Sequence, residues 1–441
     1  MEADFINVFS DSLVLFDLEG KTLRVALSGG CDSVALLELL YRSFDINRLA
    51  AVHIDHGIRE ESCADADFVR DFCEERGIPL DVRPVETVDY SEKHCLGIEE
   101  AARELRYNIF REFTSAGEVI ATAHTADDCV ETLLFNLVRG AGPRGLGGIP
   151  RERDGIIRPL LDFFRRDIEK WLRAKAISWR EDESNLDLRY TRNRVRWMLL
   201  PEIRRVFGDG ALERLRREAD IFSACAKFID SQAVSIYENA VIASFGDIIA
   251  FDSAKALESF WGFGEIVRSA LLELDIGLTS LSFDTIERLW ADIETSRKGR
   301  RYPIAEGAHL EYNDSIFFIF KDLKPISPID IQIGERVRLP GEQGVLSLLK
   351  NSGDVRLPYR GGALTLRLPK HGDTTGGRNN LLRQLTRKGI PRLLRESVPV
   401  LFEAEMPIFS PLVGLLTRGT SLFELYVSYE GPLGKNLLTK T

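Results

Sequence analysis

The sequence predicts an α/β protein, with a doubly wound parallel sheet in its N-terminal part, a mostly helical middle and a small α+β C-terminal part. Three observations carry this. Short apolar, β-leaning runs at 23–27, 49–55, 80–85, 119–123 and 156–160 alternate with breaker-free helical stretches at 33–44, 63–76, 98–115, 126–139 and 162–175, the spacing of a parallel sheet covered on both faces. The first junction is a Gly-Gly turn between strand and helix, where sheets of this kind bind ligands. Finally, 441 residues with 44% hydrophobic and 29% charged side chains exceed one ordinary domain and suffice for sizeable cores.

That first junction reads Ser28-Gly29-Gly30-Cys31-Asp32-Ser33. Gly29 and Gly30 let the backbone come close to an anion, and the following helix begins with free amides and the positive end of its dipole at the same spot. Ser28 and Ser33 add hydroxyls, Cys31 sits inside the turn, and Asp32 can hold a magnesium ion against phosphate oxygens. The four-residue gap and Gly-Lys-Ser/Thr ending of a Walker loop are absent, so this phosphate loop is of another kind.

Two more strand ends carry polar tips, and a parallel sheet gathers such tips, here Ser28, Asp55 and His124, into one crevice. His53 and His56 flank Asp55; with no third ligand nearby in sequence, loop histidines beside a nucleotide are favoured over a metal site. Arg103 and Arg106 stand three apart on helix 98–115, a shared face suited to phosphate or a developing oxyanion, or else paired in solvent with Glu99 and Glu100. After His124, Asp127 or Asp128 can cap the next helix, and Asp128 with Glu131 puts two carboxylates on one face. Like charges so placed make sense around a cation, either magnesium or a substrate ammonium. The glycine-rich stretch 139–150 is expected to be a mobile element near this site.

Charge is segregated. The net charge of −10 argues against a polyanion partner on average, yet two basic islands, 189–217 and 356–395, stand out and suggest a localised footprint. Cys31, Cys63, Cys73, Cys95, Cys129 and Cys225 form no Cys-x-x-Cys pair, so free thiols are expected rather than disulfides, zinc or an iron–sulfur cluster. Residues 1–16 carry Glu2, Asp4 and Asp11 without Lys or Arg, and no apolar run reaches spanning length, so a cytoplasmic protein without a membrane partner is expected.

In order along the chain stand SGGxDS at Ser28–Ser33, HxDHG from His53, GIExxARxxRY from Gly97, TAHxxDDxxET from Thr122, LxRGxGxxGLxG, IxRPLL from Ile156, and EDxSNxxxxxxRNxxR from Glu181. The first resembles the loop of the N-type ATP pyrophosphatases, or PP-loop enzymes, and together the motifs look like those of the tRNA(Ile)-lysidine synthetases over roughly the first 200 residues. A weaker likeness to that family's tRNA-contacting C-terminal domain covers 381–399. The resemblance implies domains at 1–209 (catalytic), 210–324 (central, substrate-binding) and 329–441 (tRNA-contacting), with a linker at Lys324-Pro325-Ile326-Ser327-Pro328.

It further implies that ATP adenylates C2 of the wobble cytidine in the CAU anticodon of an isoleucine tRNA, after which the ε-amine of free L-lysine displaces AMP. On that reading Ser28, Gly29, Gly30, Cys31, Asp32 and Ser33 hold the diphosphate end of ATP, with Asp55, His56 and His124 beside the nucleotide and Asp32 on Mg2+. Asp128 and Glu131 hold the lysine ammonium, and Arg103 or Arg106 the growing charge on the cytidine oxygen. Arg192, Asn193, Arg196, Arg383, Arg387, Arg392 and Arg395 contact tRNA, and a homodimer is left open. Two rivals remain: a PP-loop tRNA thiolase, which would need clustered cysteines, and a nucleotide- and RNA-binding protein without chemistry, which has no reason to face Asp128 and Glu131 into a cleft.

Overall fold

The computed structural model describes residues 2–57, 62–181, 191–278, 281–295, 300–313, 315–322, 326–339, 343–350, 353–375, 379–388, 390–416 and 426–431. Most of the acidic knot that opens at Glu181, part of the expected linker, Arg378 and Gly389 lie outside them. The chain divides into two compact units, Met1–Phe228 and Ile229–Thr441.

In the first unit the strands β1 (Leu23–Ala26), β2 (Leu49–Asp55), β3 (Leu80–Pro84), β4 (Val119–Ala121), β5 (Glu152–Arg153) and β6 (Ile156–Ile157) form one sheet in the order β3-β2-β1-β4-β6-β5. All neighbours are parallel except the edge pair β5 and β6. The helices are α1 (Glu2–Leu13), α2 (Cys31–Ser43), α3 (Ser62–Glu74), α4 (Thr87–His94), α5 (Ile98–Ser115), α6 (Ala126–Val138), α7 (Pro143–Leu146), α8 (Arg165–Ala174), α9 (Thr191–Arg194) and α10 (Leu200–Phe207). Side chains of α1, α2, α3 and α8 pack on one face of the sheet, while Ile109, Phe110 and Phe113 of α5 cover the other through Val52, Ile120 and Ile156. The expected doubly wound fold is the one observed.

The run Val34 to Leu40 explains α2, which is buried all round; burying each large apolar side chain contributes about 1.5–3 kcal/mol. Its one buried acid, Glu38, is matched by Arg42 and Arg76 at 2.5 and 2.7 Å. The strand expected at 156–160 ends at Ile157, because Arg158 turns inward and Pro159 has no N–H to donate to a ladder. The glycine-rich stretch expected to be mobile holds the helical turn α7 and packs closely: a Cβ on Gly148 would meet the Cys129 sulfur at 2.7 Å.

The second unit begins with an antiparallel sheet in the order Val241–Phe245, Ile248–Asp252, Ile316–Lys321, Ala308–Asn313, Arg300–Ala305. Phe317 and Ile319 face the helices Phe260–Glu273 and Phe283–Thr295, whereas Phe318 and Phe320 face Leu381–Arg387 and Arg392–Ser397. The central strand is therefore apolar on both sides. Glu311, fully buried, takes Arg301 at 2.8 Å and accepts from the Leu393 amide at 3.0 Å, holding the start of Arg392–Ser397. Three further antiparallel sheets, of five, four and two strands, lie in the same unit. Among the described residues no helix is long and apolar enough to cross a membrane.

Candidate active site

β1 gives way to α2 through a turn that only glycine fits easily. Gly29 has φ +87°, a left-handed conformation that side-chain-bearing residues rarely adopt. Gly30 is the N-cap and brings no capping side chain, so the first amides of α2 stay directed at the loop. The Ser28 amide donates to Ser33 Oγ at 3.2 Å, Ser33 Oγ donates to the Gly30 carbonyl at 3.0 Å, and the two hydroxyls lie 3.1 Å apart. The serines thus close the turn. The Cys31 thiol is buried and pushed up to about 12 by that burial, which keeps it protonated and leaves its backbone as the part facing an anion.

Asp32 is the exception in this tightly bonded loop. Its Oδ1 is buried with no partner, and Oδ2 lies 3.8 Å from Arg165 Nη1. Burial pushes the carboxyl up to about 7; Arg165 opposes the shift and Asp128 adds to it. An orphaned carboxylate oxygen fits a missing cation, and magnesium needs only one or two protein carboxylates when phosphates complete its shell. Such an ion would be held by Asp32 together with bound phosphates. Because the folded pKa lies above the unfolded value of 3.8, the charge penalises the ligand-free fold from about pH 4 upward and fully above about 7. Asp32→Asn is therefore expected to raise the melting temperature of the chelator-treated protein at pH 8 and to leave it nearly unchanged at pH 4. An equal gain at both values would mean that charge is not the cause.

At the tip of β2, His53 is a buried strand residue whose ring donates to the Leu27 carbonyl at 2.8 Å, and so it stands apart from the loop where sequence expected it. Asp55 holds the Gly57 amide at 3.0 Å. His56 meets Thr87 at 3.3 Å and Arg106 at 3.4 Å, and burial with the nearby Arg106 charge lowers it to about 4. His124, hydrogen-bonded to Thr122 at 3.0 Å, is likewise lowered to about 4 by burial. Both imidazoles are neutral near pH 7, suited to hydrogen bonding rather than to pairing with phosphate charge. Arg103 lies over the Tyr107 ring at 4.9 Å.

The start of α6 separates its two aspartates. Asp127 accepts from the Arg165 amide at 2.8 Å and has Arg204 at 3.6 Å, which ties it to α8 and α10. Asp128 closes a capping box with Thr125, and its other oxygen points toward Glu131 and two arginines. Arg196 reaches Asp128 at 2.8 Å and Glu131 at 2.6 Å; Arg192 reaches them at 3.4 and 3.2 Å. The cation that two facing carboxylates require is thus supplied from within the chain. Arg196 is mostly buried, and Arg192 is more than half exposed. Val195–Leu199 forms a π-helical turn, a geometry frequent at functional sites, and it follows directly on α9, which carries Arg192. Asn193 is half-buried on the same turn of chain.

Beside Glu131 opens a cavity of about 740 Å³, lined by Arg103, Tyr107, His124, Phe135, Arg158 and Arg192 among others. Sequence reasoning missed Arg158, Arg165 and Tyr107 as site residues, although IxRPLL and GIExxARxxRY contained the first and last. The signal for Arg158 was an arginine at the carboxyl end of a strand just before proline.

The first basic island is largely neutralised internally: besides Arg192 and Arg196, Arg205 pairs with Glu202, and Arg216 with Asp162 and Asp220. In the second, Arg367 pairs with Asp373, Arg392 with Glu396 at 2.8 Å, and Arg395 donates to the Thr386 hydroxyl. Arg383 and Arg387 are exposed, and among the described residues no carboxylate lies within 4.0 Å of either.

A doubly wound sheet with a Ser-Gly-Gly turn at the head of its second helix and, one residue into that helix, an aspartate with one unsatisfied oxygen defines a PP-loop nucleotide-binding unit, and the PP-loop domain profile matches residues 4–203. A tRNA(Ile)-lysidine synthase of Porphyromonas gingivalis is 34% identical over 373 residues, 79% of this chain and 81% of that protein. The chain belongs to the tRNA(Ile)-lysidine synthase family. The Chlorobaculum tepidum relative is 41% identical over 216 residues, 48% of this chain, and the Bacteroides thetaiotaomicron relative 40% identical over 225 residues, 50% of this chain. In these two and the Solibacter usitatus relative, the matched region spans 65%, 52% and 63% of the relative's own length. Among solved structures, the U34-tRNA thiolase NcsA from Methanococcus maripaludis is 16% identical with a TM-score of 0.42, covering 50% of this chain and 79% of that one.

Proposed function

We propose that this protein ligates free L-lysine to C2 of the wobble cytidine in the CAU anticodon of an isoleucine tRNA, through an adenylated cytidine, with ATP split to AMP and diphosphate. One observation carries the reading: Arg165 has its guanidinium 3.8 Å from Asp32 of the phosphate loop and its amide on Asp127 at 2.8 Å, so the anion loop and the start of α6, which bears Asp128 and Glu131, stand side by side. Residues 28–33 hold the diphosphate end, and Asp55, His56 and His124 stand beside the nucleotide. Asp32 holds Mg2+, which when bound neutralises charge on the departing diphosphate. Arg103 or Arg106 meets the charge that grows on the cytidine oxygen. Asp128 and Glu131 take the lysine ammonium in place of Arg192, the looser of their two present cations.

The catalytic part is 1–209, the central part 210–324 and the tRNA-contacting part 329–441; the protein acts in the cytoplasm, and homodimerisation is compatible with the reading. Mass spectrometry of nucleosides from unmodified isoleucine tRNA incubated with protein, ATP and lysine tests the whole proposal. Lysidine and AMP are expected; ADP, or no lysidine, would refute it.

Arg192, Asn193, Arg196, Arg383, Arg387, Arg392 and Arg395 remain the proposed tRNA contacts, with the exposed Arg383 and Arg387 the strongest. Replacing both with alanine is expected to weaken tRNA binding and to flatten the slope of log K against log salt by roughly 2, about one for each lost phosphate contact. An unchanged slope in a filter-binding titration would remove them from the interface.

A further inference from the structure

We infer that Arg158 is the receptor for the α-carboxylate of the amino-acid substrate, which makes it the residue that tells lysine from a simple diamine. The inference rests on the proposed lysine ligation and adds to it the part of the substrate that takes no part in the chemistry.

Arg158 is 4% exposed. Its Nη1 donates to the Pro150 carbonyl at 2.8 Å, Tyr107 lies beside it, and its Nε is buried with no partner. Among the described residues no carboxylate pairs with it. Other arginines of the same unit are treated differently: the comparably buried Arg216 faces Asp162 at 3.1 Å, and the less buried Arg24 and Arg76 face Glu118 and Glu38, each at 2.7 Å. A buried guanidinium without a counter-charge is costly, and it makes sense where an anion arrives from outside.

The cavity says which anion. Arg158, Arg103 and Arg153 line it and lie near one another; Arg153 has Asp154 at 3.3 Å, while the Arg103 guanidinium lies over the Tyr107 ring and, among the described residues, has no carboxylate within 4.0 Å. None of residues 28–33 lines this cavity. Glu131 lines the same cavity, and Tyr107 and Phe135 offer apolar surface. Arginines share this space with the acids Glu100, Glu104, Glu131 and Asp154 and with apolar walls, which matches a zwitterion with an aliphatic stem, its carboxylate on the buried Arg158 with Arg103 and an ammonium toward Glu131.

Equilibrium binding of lysine and of cadaverine, the same chain with two amines and no carboxylate, tests this on the full-length protein with ATP present. The intact protein is expected to bind lysine between roughly tenfold and a hundredfold more tightly than cadaverine, the worth of a charge-assisted pair. Arg158→Met should bring lysine down to the cadaverine level and leave cadaverine unchanged, and Arg158→Lys should recover part of the difference. Should Arg158→Met fail to fold by circular dichroism, Arg103→Met on the exposed face of α5 carries the comparison, with a severalfold loss for lysine alone.

Equal losses for both ligands would overturn the inference and make Arg158 structural. A loss of tRNA affinity and salt dependence with an unchanged ligand ratio would overturn it in favour of a backbone phosphate. An intact protein that prefers neither ligand but binds both refutes the carboxylate receptor while leaving lysine ligation standing; one that binds neither refutes both.

Discussion

Replacing Asp32 by alanine is expected to lower ATP-dependent AMP formation roughly a thousandfold or more, with diphosphate release falling in step. The expectation follows from the acidic oxygen in the phosphate loop that no group among the described residues satisfies. Ser28 and Ser33 are engaged with each other and with the backbone, and Cys31 is held protonated by burial, so no neighbour can take over a cation. Loss of activity through misfolding would look different. Alanine removes a charge that the ligand-free fold holds at a penalty, so melting at pH 8 should rise or stay level while catalysis disappears. A variant that releases AMP at the normal rate would move the metal ligand elsewhere and with it the assignment of the loop.

The layout of that loop was legible because everything that defines it is local: an apolar strand, two glycines, and a helix without a breaker, all within 23–44. The cap of α6 was read one step off: Asp127 or Asp128 was expected to cap it, whereas the N-cap is Thr125 and Asp128, three residues on, closes the capping box. What the sequence hid is pairing across distance. Arg196 and Glu131 are 65 residues apart, and no periodicity connects them. Read in sequence, 189–217 is a basic island; folded, most of its arginines stand on acids contributed by α6, by α10 itself and by the loop after β6. The helix α1 went unread because its apolar face, Phe5, Phe9 and Leu13, gains its meaning from Phe163 and Trp171 far along the chain. In the glycine-rich loop, glycine also serves for close approach to Cys129 and Ser223, partners that no local pattern discloses.

Arg192 and Arg196 hold the same two carboxylates, yet substituting each is expected to give opposite results. Arg196 is mostly buried and closes on Glu131 at 2.6 Å and Asp128 at 2.8 Å, so Arg196→Ala leaves buried acids short of a counter-charge and should destabilise the fold by about 3 kcal/mol. Arg192 is more than half exposed, at 3.2 and 3.4 Å, and an ion pair so placed is worth at most about 1 kcal/mol. Its removal should barely change the melting temperature. If the lysine ammonium takes the place that Arg192 occupies, Arg192→Ala also removes a competitor, and the lysine concentration for half-maximal rate should fall by a factor of up to roughly five, the equivalent of that pair. The two variants are compared by thermal melting and by lysine titration at saturating tRNA and ATP. A higher lysine requirement in Arg192→Ala would show that its guanidinium belongs to the bound state, and the ammonium would then need a different seat against Glu131.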